Sequence, residues 1–165
     1  MGRPATRLCL FVTYKAALLC CAVLSRLHIL LAALWWGGTT ALAFVAVPVL
    51  FMHFDSPALA GAAAAKLFAA QSVLTLVLAA VATLVLILAS GQDQAGKSTR
   101  VFWVGGALLA ICNQWWVAPL IVSARSTGGN LALWHGLGSS LIVSQWLLAL
   151  ATLWLLTTPH KLEPN

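Results

Sequence analysis

Hydrophobic residues fall into four long blocks separated by short polar stretches. The blocks are Leu27 to Met52, Leu67 to Ser90, Val101 to Ser123 and Gly136 to Thr158, about 23 to 26 residues each. A helix rises ~1.5 Å per residue and the hydrocarbon core of a bilayer is ~30 Å thick, so about 20 residues span it. No Asp, Glu, Lys or Arg lies inside any block. The pattern predicts an all-α polytopic membrane protein, a bundle of four transmembrane helices. Residues 1–26 form an N-terminal basic and apolar extension, 27–158 the transmembrane domain and 159–165 a polar tail.

The connections sharpen this picture. Leu8 to Ser25 is apolar but interrupted by Lys15. Basic residues followed by the short apolar core Ala16 to Leu24 resemble a signal peptide, yet no small-x-small cleavage site follows. The expected form is an amphipathic or poorly ordered cytoplasmic extension. After the first block, Ser56 suits an N-cap and Pro57 the first helical position. Residues 91–100 read as a short polar turn, and Ser123 to Asn130 as a flexible loop. A weak repeat relates Phe44 to Phe51, around Pro48, with Trp115 to Val122, around Pro119. Each follows a Gly-Gly pair, Gly37-Gly38 or Gly105-Gly106, consistent with a duplicated two-helix unit.

Charge sets the orientation. Arg3, Arg7, Lys15, Arg26, Lys97, Arg100 and Lys161 fall on one side of the bilayer, and Lys66 and Arg125 on the other. The positive-inside rule places both termini in the cytoplasm of a bacterial inner membrane. Only 7% of residues are charged and 62% are hydrophobic, against roughly 25% charged in soluble domains. The net charge of +6 forms no basic stripe of the kind that binds nucleic acid. The partner implied is the lipid bilayer, with a homo-oligomer open to the small-residue faces. Cys9, Cys20, Cys21 and Cys112 lack C-x-x-C or metal spacing and read as apolar fillers.

Inside the blocks, Ala33, Gly37 and Ala41 recur at intervals of four, as do Gly136, Ser140 and Ser144. Such rows let helix backbones approach closely in lipid and are expected to be packing seams. Asn113, Gln114 and Gln145 are intramembrane amides, read either as bonds between helices or as the lining of a polar path. His53 and His135 fall near one membrane face and are candidate metal ligands; His28 falls near the other. No nucleophile elbow, P-loop or dinucleotide fingerprint occurs. The lack of carboxylates within the blocks disfavours a proton- or cation-coupled pump. The expectation is a non-enzymatic protein with no cofactor.

The order of LHILLAALWWGG, FVAVPVLF, Lys66-Leu67-Phe68 and Trp134-His135-Gly136-Leu137 resembles the transmembrane-protein-205-like family over about residues 26 to 157. That resemblance implies a four-helix membrane protein without an established reaction. The spacing of His28, Trp35 and Gly38 is also distantly similar to the copper-resistance D proteins and the bacterial membrane protoporphyrinogen oxidase. The latter likeness implies His28 as a haem ligand and a haem- or copper-binding oxidoreductase. The sequence departs from the oxidase in having no lysine inside its four blocks. A small-solute transporter is the remaining alternative.

Overall fold

The computed structural model describes residues 4–89 and 94–158. Helix α1 (Pro4–Ala41) passes through a π turn (Leu42–Ala46) into α2 (Val47–His53). Helix α3 (Pro57–Leu88) returns across the bundle. Helix α4 (Gln94–Ile111), a second π turn (Cys112–Val117) and α5 (Ala118–Thr127) make one rod, and α6 (Leu131–Thr157) completes the fold. Spans one to four, Ala22–His53, Pro57–Leu88, Lys97–Thr127 and Leu131–Thr157, are each long and apolar enough to cross a bilayer. The all-α, four-span bundle is thus the one the hydrophobic blocks predict.

The ends of the elements depart from expectation where local caps intervene. Helix α1 already begins at Pro4, so the segment expected as a separate extension is helical and enters span one unbroken. Ser56 accepts from the Leu59 N–H at 3.3 Å, and Pro57 opens α3, as its sequence position predicts. The loop expected over Ser123 to Asn130 is shorter, because α5 continues to Thr127. Gly128 then takes a left-handed conformation (φ 74°), the conformation in which glycine commonly ends a helix. Asn130 caps α6, accepting from Leu133 N–H at 3.0 Å, five residues before the expected start. Gln94 to Arg100, expected as part of a polar turn, is the first part of α4. Residues 90–93 and the tail bearing His160 and Lys161 lie outside the described residues.

Each π turn sits just before a proline. Proline lacks an N–H, and its ring clashes with the carbonyl four residues back. Those carbonyls belong to Phe44 for Pro48 and Trp115 for Pro119, both inside the π turns. Widened turns relieve the clash: Val47 N–H reaches Leu42 O, and Ala118 N–H reaches Asn113 O. The same device in spans one and three supports the duplicated unit.

In lipid the interior gains little from hydrophobicity, so small residues and close contact hold helices together. Ala32, Ala60, Ala79, Ala82, Ala110 and Ala149 are buried, whereas Leu30, Val73, Ile87, Leu108 and Leu147 face outward. The largest buried side chains are Trp35 and Trp103, which stack with ring centroids 4.7 Å apart. A Cβ at Gly106 would overlap two carbons of the Trp35 ring. Gly38 packs against the Gln71 amide, and Gly138 against Asn113 and Ile121.

The expected packing rows take a different place. Gly37 and Gly136 have nothing within 4 Å of where a Cβ would stand. Ala41, Gly136, Ser140 and Ser144 are exposed, and Ala33 is half-buried. Spans one and four do pack together, but on the adjoining faces marked by Trp36 and Trp146. Sequence spacing found rows of small residues; the bulky tryptophans decided which small residues are needed inside.

Gly106→Ala is expected to destabilise the detergent-solubilised protein by about 1–3 kcal/mol through overpacking. Gly37→Ala should be neutral or stabilising by up to about 1 kcal/mol. Thermal unfolding of the two variants checks this, and equal behaviour would refute the packing argument.

Candidate functional site

The interior contains two linked features: a histidine–tryptophan column and a polar layer near mid-span. His28 is 4% exposed and lies one and two turns before Ala32 and Trp35 on the buried face of α1. Its Nε2 accepts from Trp103 Nε1–H at 2.8 Å. The rings of His28 and Trp103 stack at 6.1 Å, and Trp35 continues the stack. Only an unprotonated Nε2 can accept that bond. The column thereby joins span one to span three by a directional contact as well as by packing.

The polar layer draws on all four spans. Thr39, Gln71, Asn113 and Gln145 each lie near the midpoint of their span. Gln71 Nε2 donates to Thr39 Oγ1 at 3.1 Å, and Thr39 Oγ1 in turn donates to Trp35 O at 2.8 Å. Trp146 Nε1 donates to Thr40 Oγ1 at 2.8 Å, and its ring also meets Trp36 and Phe44. These bonds tie spans one, two and four, using threonines whose own protons satisfy backbone carbonyls. Among the described residues, Trp35 Nε1, Trp36 Nε1, Thr75 Oγ1 and Gln145 Nε2 are buried without a protein hydrogen-bond partner.

The sequence-predicted residues divide accordingly. Gln145 is buried at 3% exposure and Asn113 at 8%. Gln114, one residue on, is half-buried and faces a groove between spans two and three. His53 Nδ1 lies 2.9 Å from Val49 O, and both His53 and His135 are exposed. Among the described residues no three His, Cys, Asp or Glu side chains form a metal-binding group. The haem implied for His28 does not fit this arrangement. Iron needs a free imidazole lone pair and an open face for the porphyrin, but Nε2 is engaged by Trp103 and the ring is buried.

Sequence reasoning missed Trp103, Thr39, Gln71 and Trp146. An intramembrane tryptophan or threonine looks unremarkable in an apolar block, because its partner lies on another helix. Residues 30–130 match a family described as a domain of unknown function (DUF4149). The chain belongs to this family. No curated protein and no solved structure matches the chain. The DUF4149 match covers the Trp35–Trp103 stack and both proline-linked π turns, but starts just after His28 and ends before α6.

Trp103→Phe retains the stack but leaves Nε2 of buried His28 unpaired, an expected cost of about 1–3 kcal/mol. Adding His28→Phe should recover part of that loss. Denaturation of both variants in detergent reads the coupling, and strictly additive losses would show that the hydrogen bond is unimportant.

Proposed function

We propose that this DUF4149 protein is a non-enzymatic four-span bundle of the bacterial inner membrane, with both termini in the cytoplasm, serving as a rigid binding scaffold in the bilayer. The engagement of His28 by Trp103 carries this reading. It gives the most chemically versatile interior side chain a structural partner, and the polar groups around it are uncharged amides, hydroxyls and indoles. A rigid interior leaves the exposed faces as the surfaces for partners or lipid.

A second reading, passage of a small polar solute, is favoured by Gln145 Nε2 and Thr75 Oγ1, which are buried without protein partners. Such groups are costly in an apolar setting unless something bonds them. Replacing Gln145 by Leu separates the readings. Under the scaffold reading the variant keeps or gains stability and supports the same cellular growth. Loss of solute flux in proteoliposomes with folding intact would favour passage.

Alkaline phosphatase fused to the C-terminus is expected to be inactive, and a green fluorescent fusion at the same end bright; the reverse would overturn the orientation. Protein purified from haem- and copper-supplemented cells is expected to be colourless and free of stoichiometric metal. A Soret band abolished by His28→Ala would overturn the non-enzymatic scaffold reading.

A further inference from the structure

Two grooves open on the outer surface of the bundle between spans two and three. One, of about 590 Å³, is lined by Lys66, Ala69, Gln114, Pro119, Ser123 and Ser126, among others. The other, of about 430 Å³, lies toward the opposite end of the same helices and is lined by apolar groups including Leu76, Ile87, Val104 and Leu108. At about 100° per residue, Ala69 falls on the same face of α3 as Leu76, Thr83 and Ile87, and Lys66 falls at its edge, in line with Leu84. The grooves are therefore successive stretches of one furrow along a single helix seam. Its character changes along its length, from cationic and polar to predominantly apolar.

The cationic end is distinctive. Lys66 stands nine residues inside α3, ~13 Å along the helix from Pro57. Arg125 approaches the same helix farther out, its guanidinium 3.0 Å from where a Gly61 Cβ would stand. Among the described residues neither cation makes a hydrogen bond or ion pair, and the Gln114 amide likewise makes none. These are also the two basic residues that the positive-inside rule assigns to the minority side. A cation beneath a membrane surface snorkels its ammonium along an apolar wall, and here that wall is the furrow.

We propose that this furrow holds a phospholipid with a net anionic headgroup from the leaflet at the Phe54–Ser56 side. Its phosphate sits between Lys66 and Arg125, Gln114 and Ser123 offer donors below, and an acyl chain runs toward the Leu76–Leu108 stretch. The charge matches the head, and the apolar stretch matches the tail. Neither a second copy of this bundle nor free phosphate satisfies both ends.

The test uses the full chain in detergent micelles, with bound lipid counted by native mass spectrometry. Dioleoyl phosphatidylglycerol is titrated against dioleoyl phosphatidylcholine, so only the headgroup differs. Wild type is expected to retain one phosphatidylglycerol with about 25-fold preference, about fivefold for each of two basic residues near anionic lipid. Lys66→Gln should lower the ratio about fivefold while leaving the phosphatidylcholine adduct unchanged. Arg125→Gln supplies the same readout should Lys66→Gln fail to purify. Ala80→Phe fills the apolar stretch from its exposed side and should reduce both adducts. An unchanged ratio in the charge variant, or unchanged adducts in Ala80→Phe, overturns the proposal. So does a dimer that forms as lipid is lost, or displacement of the lipid by excess inorganic phosphate.

Discussion

The indole of Trp35 occupies the space that a side chain at position 106 would need, and this exclusion organises the bundle around it. In a bilayer, burying another leucine gives little advantage over leaving it in lipid, so helix association depends on close van der Waals contact and hydrogen bonds. Trp35 supplies the contact: it stacks on Trp103 and, at Gly106, fills the space between span one and span three across the centre of the bundle. Trp103 supplies the bond, donating to His28. A single cluster thus fixes both the separation and the rotation of two helices. The alanines around it, among them Ala32, Ala79, Ala82 and Ala149, let spans two and four close on the same centre.

The second constraint is the paired proline. Pro48 and Pro119 each follow a π turn that shifts the phase of the helix beyond it. In span three this shift matters for the outer surface. It turns Pro119, Ser123 and Ser126 onto the seam with span two, beyond the stretch carrying Val104 and Leu108. A regular helix would rotate those residues away from that line by about 100°, one residue's worth of turn. Spans one and three therefore share a device, but only the latter builds the furrow with span two.

The number of spans and the class of fold were legible because length and charge exclusion are properties of each block alone. Ser56 and Pro57 were legible for the same reason, since a cap is local. The packing faces were not. Spacing marks the rows through Gly37 and Gly136, whereas Gly38 and Gly138 have Leu34, Leu42, Trp134 and Ile142 four residues away and belong to no such row. Which glycine turns inward depends on partners elsewhere, Gln71 for Gly38 and Asn113 for Gly138. His28 was recognisable as unusual, but its significance was hidden: Trp103 lies 75 residues away, and no local pattern joins them. The likeness to a haem-bearing helix pointed to a free imidazole where the fold provides a tryptophan.

Interior and exterior polar groups consequently have different physical roles. Inside, Thr39, Gln71, Thr40 and Trp146 bond one another and lock neighbouring spans. Their neutrality suits this position, since a buried charge would carry a far larger desolvation cost. Lys66 and Arg125 remain on the outside, where their charges can reach the membrane surface while their stems lie against the helices. Had either cation merely marked a loop, any exposed position beyond the span would have served. Instead Lys66 lines the seam that carries Gln114 and, farther along, an apolar trough, and Arg125 reaches the same helix at Gly61. A bundle held rigid by its aromatic centre keeps that seam in register, so a long amphipathic molecule meets its charged and apolar parts at a fixed separation.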